Sequence, residues 1–133
     1  MNYSFYIDKL YEIAKELNVE IVINFELDAA GRTHYIKSLI EINEPKAKAA
    51  LVTIAHELGH FIYYLNNRDK RQPPVRVRER AAYRLGWYLL RKIEANITKE
   101  EWRDYHVPDF SKIKETGGWL IESKKQDERT NKV

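Results

Sequence analysis

Near the N-terminus of the chain, apolar residues recur at three- and four-residue steps. Phe5, Tyr6, Leu10, Ile13, Ala14 and Leu17 form a stripe, with Asp8, Lys9, Glu12, Lys15 and Glu16 between them. This period predicts an amphipathic packing helix over 3–17, stopped at Asn18. The pattern then changes. Glu20–Phe25 is rich in β-branched residues and reads as a strand. Asp28–Arg32 reads as a turn, followed by strand-like His34–Ile36 and Ser38–Asn43. In the latter, Leu39, Glu41 and Asn43 alternate with Ile40 and Ile42, as in a half-buried strand. Asn43-Glu44-Pro45 marks a helix start. Ala47, Ala50, Leu51, Ile54, Ala55, Leu58, Ile62 and Leu65 predict a buried stripe on a helix over 46–66.

A charged loop ending in Pro73-Pro74 leads to a second long helix over 75–94, with Val75, Ala82, Leu85, Leu89 and Ile93 on its apolar side and Trp87 and Tyr88 adding bulk. Thr98 and Glu101 match a capping box, predicting a short helix that stops before Val107-Pro108. Gly117–Ile121 reads as a last turn or strand docked on the core, and the polar segment 122–133 as a frayed tail. The pattern predicts one α+β domain over 1–121, with a small antiparallel or mixed sheet of about three strands and helices packed on it.

Composition narrows the class. The 133 residues suffice for one domain with a core. They are 44% hydrophobic and 32% charged, a globular balance. Cysteine is absent, so a metal must be held by His, Asp or Glu. No apolar run is long enough to span a bilayer, and the N-terminus lacks the basic and apolar regions of a signal peptide. A cytoplasmic protein without a membrane partner is expected. Net charge is +3. Between 68 and 92 there are nine Lys or Arg and two acids. That run reads as a solvated basic face, with docking of nucleic acid or an acidic protein as the functional alternative.

The chemistry concentrates in Val52–Phe61, which contains His56-Glu57-Leu58-Gly59-His60. Residues four apart share a helix face, so His56 and His60 can reach one ion. Glu57, rotated to the edge of that site, suits a general base acting on water. Such sites use zinc with three protein ligands and an open position. A scheme with a third His six residues after His60 is excluded, because that position is Asn66. Glu79, early on the next helix and followed by Ala81 and Ala82, is the preferred third ligand; His106 and Glu94 are the alternatives. His34 is more simply an exposed residue than a ligand or acid. Tyr63, Tyr64, His106 and His34 are open choices for steadying an oxyanion. The strand before the zinc helix either borders a cleft, where an extended peptide could pair, or merely covers the core.

His56–His60, the preceding Ile40-Glu41-Ile42-Asn43 and the following Glu79-Arg80-Ala81-Ala82 together resemble the ImmA/IrrE metallopeptidase-like family of phages, mobile elements and bacteria. The resemblance covers about residues 36–90. It departs from the family pattern after Ala82, where Tyr83-Arg84 stands in place of an acid or Asn. It implies a zincin-like α+β domain and zinc-dependent cleavage of a helix-turn-helix repressor encoded nearby. The rival is a non-catalytic regulator that keeps the fold and binds a repressor or nucleic acid through 68–92. Half of a toxin–antitoxin pair is a third reading.

Overall fold

The computed structural model describes residues 2–112, and for 107–112 the helical backbone alone. Gly117–Ile121, the boundary at 121 and the tail 122–133 lie outside the described residues. Four helices and three strands follow in the order α1 (Ser4–Glu16), β1 (Glu20–Ile23), β2 (Gly31–His34), β3 (Leu39–Ile42), α2 (Ala47–Asn67), α3 (Val75–Lys92) and α4 (Lys99–Lys112). This is the expected α+β architecture with a small mixed sheet.

Most of the expected α1 stripe packs inward: Leu10 and Ala14 are buried, and Tyr6, Ile13 and Leu17 lie half-buried against the core, while Ile7 joins the buried side and Phe5 points to solvent. Asn18 ends the helix in the left-handed region, at φ 58°. Asn tolerates that conformation better than most residues.

The strand order is β1-β3-β2. β3 pairs parallel with β1, Ile21 facing Ile40, and antiparallel with β2, Thr33 facing Ile40. β1 stops at Ile23, before the expected Phe25. The turn expected over 28–32 is shorter, because Gly31 and Arg32 already pair with Ile42 and Glu41. Residues 35–38 turn instead, with Ser38 at φ 50°. Ile40 and Ile42 are fully buried and the alternate positions half-buried, as the alternation predicts.

Period two decides what β2 shows to each side. Thr33 faces α2, and a Cβ on Gly31 would lie 2.7 Å from Thr53 Cγ2 and 2.9 Å from Glu57 Cγ. Glycine is what lets β2 lie this close to the motif helix. Arg32 and His34 therefore face the opposite side. There His34 pairs with Glu41, whose other oxygen accepts from Asn24 Nδ2 at 2.7 Å.

α2 is the hub. Ala50, Leu51, Ile54, Ala55, Leu58 and Phe61 are buried, whereas Ile62 and Leu65 are half-buried and Ala47 is exposed. Each fully buried Leu or Ile contributes about 1.5–3 kcal/mol. Gly59 meets α3 at close range: a Cβ there would stand 2.5 Å from the Ala82 carbonyl oxygen. At Gly86 a Cβ would stand 2.7 Å from Trp102 Cη2 and 2.9 Å from the Ala55 carbonyl oxygen. Small residues on both helices thus set their separation.

The capping box opens α4 as its residues predict. Thr98 N donates to Glu101 Oε1 at 3.0 Å, and Glu101 N to Thr98 Oγ1 at 3.1 Å. Glu101 also pairs with Lys48 on α2. Contrary to the expected stop before Val107, the helix continues to Lys112. A proline within a helix removes one N–H donor, which weakens the ladder without necessarily ending it.

Candidate metal centre

His56 and His60 project from one face of α2, with ring centroids 4.7 Å apart and planes at 82°. Glu79, from the first turns of α3, reaches across to both. His56 Nε2 is 3.1 Å from Glu79 Oε2, and His60 Nε2 is 3.0 Å from Glu79 Oε1. Burial alone would raise the Glu79 carboxyl, but hydrogen bonds from His56 and His60 outweigh it and hold the group well below the usual carboxylate range. It is ionised at neutral pH.

These distances suit a shared ion. Ligand arms of about 2.0–2.1 Å in a tetrahedron leave the donor atoms roughly 3.3 Å apart. Glu57 joins from the side: ligand atoms of His56, Glu57 and His60 lie within 4.8 Å of one another. Two carboxylates therefore approach the imidazoles, with different surroundings. Glu79 meets both Nε2 atoms. Glu57 is buried against β2, where the Thr33 hydroxyl lies 3.2 Å from its backbone oxygen and 3.5 Å from Oε1. A hydroxyl has one proton, so the nearer carbonyl receives it.

The alternatives for third ligand are placed elsewhere. Glu94 is exposed beyond the end of α3, at φ 56°. His106 is adjacent but turned away: its Nε2 lies 2.8 Å from His56 Nδ1 and its Nδ1 2.7 Å from the Trp102 carbonyl oxygen. The ring is 3% exposed and packs on Trp102 at 4.2 Å and edge-on to Tyr83 at 5.0 Å. Burial first, then the neighbouring His56, push its pKa down to about 4.

The cluster lies in a cavity of about 440 Å³, lined by residues 29–31 before and in β2, by Thr53 and the motif residues, by Val75 and Glu79, and by Tyr105 and His106. Of the residues offered for oxyanion contact, His106 lines this cavity. His34 lies on the far side of the sheet, and Tyr64 packs on Tyr35 at 4.8 Å. Tyr63 is half-buried beside the core. Tyr105 was not among the residues singled out by sequence. Its signal would have been its place three residues after the anchor Trp102, readable only once α4 is known to dock here.

The class defined by fold and site is an α+β protein whose central helix carries a buried His–Glu–His group at metal-binding distance. No protein-family model, curated protein or solved structure matches the chain. Among the described residues, no helix is long and apolar enough to cross a membrane.

Proposed function

We propose that this protein is a zinc-dependent endopeptidase. The observation that carries the reading is the pair of 3.0–3.1 Å approaches of one ionised carboxylate to two imidazoles, with Glu57 at the same centre and a cavity above. His56, His60 and Glu79 would hold the ion. A set of two imidazoles and a carboxylate, with no thiol in the chain, suits zinc. When bound, zinc polarises a water and a peptide carbonyl. Glu57 accepts the proton of the attacking water at its carboxylate and returns it to the leaving amine. Tyr105, which lines the cavity, would be the phenol that donates to the carbonyl oxygen of a bound peptide.

β2 ends the sheet, so its outer edge beside the cavity offers backbone donors and acceptors to an extended substrate. Following the family resemblance, the substrate is a helix-turn-helix repressor encoded nearby. A non-catalytic regulator is the second reading, favoured by Arg76, Arg80 and Arg84, which stand four apart and exposed on α3. Such a face would dock a repressor or nucleic acid.

Elemental analysis of purified wild type, His56→Ala, Glu79→Ala and Glu57→Gln, with a repressor-cleavage assay, separates the two. About one zinc per chain is expected in wild type and in Glu57→Gln, and none in the other variants. Cleavage by wild type and its loss in Glu57→Gln are expected. Wild type without zinc overturns the peptidase reading; zinc retained by Glu79→Ala overturns the ligand assignment.

A further inference from the structure

We propose that His106 is a positioning residue for this centre, fixing which nitrogen of His56 carries the proton and hence which one faces the ion. The inference rests on the metal-centre reading. Its basis is a chain of three groups. The Trp102 carbonyl oxygen, 2.7 Å from His106 Nδ1, can only accept, so that nitrogen bears a proton. In the neutral ring, Nε2 is then a bare acceptor. It faces His56 Nδ1 at 2.8 Å, a contact that needs one proton between the two nitrogens. That proton belongs to His56 Nδ1. His56 Nε2, the atom directed at Glu79 and the ligand cluster, is then the nitrogen left to offer a lone pair to an ion, which would take the place of the proton now shared with Glu79.

A backbone carbonyl on α4 thus dictates a tautomer on α2 through an intervening imidazole. The relay is held rigidly. Trp102 is fully buried, its ring lies where a side chain on Gly86 would stand, and its Nε1 donates to the Tyr83 carbonyl at 3.2 Å. His106 is one helical turn further along and packs on both Trp102 and Tyr83. Histidine ligands ordinarily give their second nitrogen to a carboxylate or carbonyl. Here a second histidine takes that role, and it works as an acceptor only because its own tautomer is set by Trp102.

The test compares zinc affinity, by competition with a chromogenic chelator, in wild type, His106→Phe and His106→Gln. Phenylalanine keeps an aromatic ring of similar size without an acceptor. Glutamine can accept from His56 and donate to the Trp102 carbonyl. His106→Phe is expected to bind zinc roughly 10–100-fold more weakly, and His106→Gln to recover most of the loss. Equal affinity of His106→Phe and wild type overturns the proposal alone, whereas wild type that binds no zinc overturns the metal-centre reading beneath it. A second measurement serves if His106→Phe does not fold. Long-range ¹H–¹⁵N correlation of the wild-type imidazoles should place the His106 proton on Nδ1 and leave Nε2 bare. A proton on His106 Nε2 overturns the relay.

Discussion

At the scale of single residues, the two carboxylates of the centre differ in what surrounds them. Glu79 bridges two imidazoles, whereas Glu57 is anchored through its own backbone to the sheet. Thr33 makes that anchor. Thr33→Val keeps the shape and removes the hydroxyl, so about 1 kcal/mol of stability should be lost. Urea denaturation of Thr33→Val and Thr33→Ser checks this, since serine retains the donor; equal loss in both would locate the effect in packing. That His56, His60 and Glu79 can meet is legible in the sequence, because the helical period aligns the first two and the third needs only the next helix to return. The orientation of His106 is not. Sequence marked it as a spare ligand, but its direction depends on how Trp102 docks, and no local pattern encodes that.

At the scale of elements, the centre depends on the separation of α2 and α3, because each helix supplies part of it. Gly59 sets that separation against Ala82. Gly59→Ala would gain up to ~1 kcal/mol of helix propensity. The added methyl, however, meets a backbone oxygen at 2.5 Å, which no rotamer change relieves. Overpacking of this kind typically costs about 1–3 kcal/mol. Net destabilisation is therefore expected, together with weaker zinc binding as α3 carries Glu79 outward. Denaturant titration and chelator competition read the two effects, and a gain in stability would refute the close-packing argument. A glycine inside an apolar helix is the sequence signal of such a contact. Helix existence was legible throughout, and helix ends were less so. The capping box marked where α4 starts, but Pro108 misled about where it stops, since one missing donor competes with an otherwise intact ladder. On α1 the expected stripe holds except at its start, where aromatic Phe5 resembles a core residue but packing buries Ile7 instead.

At the scale of the whole molecule, distant parts of the chain are joined by ionised groups whose protonation loosens the fold. Lys48 on α2 and Glu101 on α4 are 53 residues apart in sequence and form an ion pair. The Lys48 ammonium first, then the Thr98 backbone N–H, push the Glu101 carboxyl down to about 2. Across the sheet, the Asn24 amide and then His34 hold the Glu41 carboxyl below the ordinary range. Both groups have lower pKa values folded than unfolded, where a glutamate titrates near ~4.3. Between those values the unfolded chain binds more protons, so stability rises with pH there. The stabilisation is present in full above the unfolded pKa and fades as pH falls through each folded value, about 2 for Glu101. The urea midpoint of the protein should therefore drop from pH 7 to pH 3 more than that of Glu101→Gln, whose side chain no longer titrates. Glu41→Gln should likewise flatten the acid side of the curve. Because the partners of Glu41 are Asn24, just after β1, and His34 on β2, and those of Glu101 are Lys48 on α2 and Thr98, just before α4, the two substitutions share no partner, and their effects on the midpoint should add. A double variant that falls as steeply with acid as the parent would remove these two carboxylates as the source of acid sensitivity.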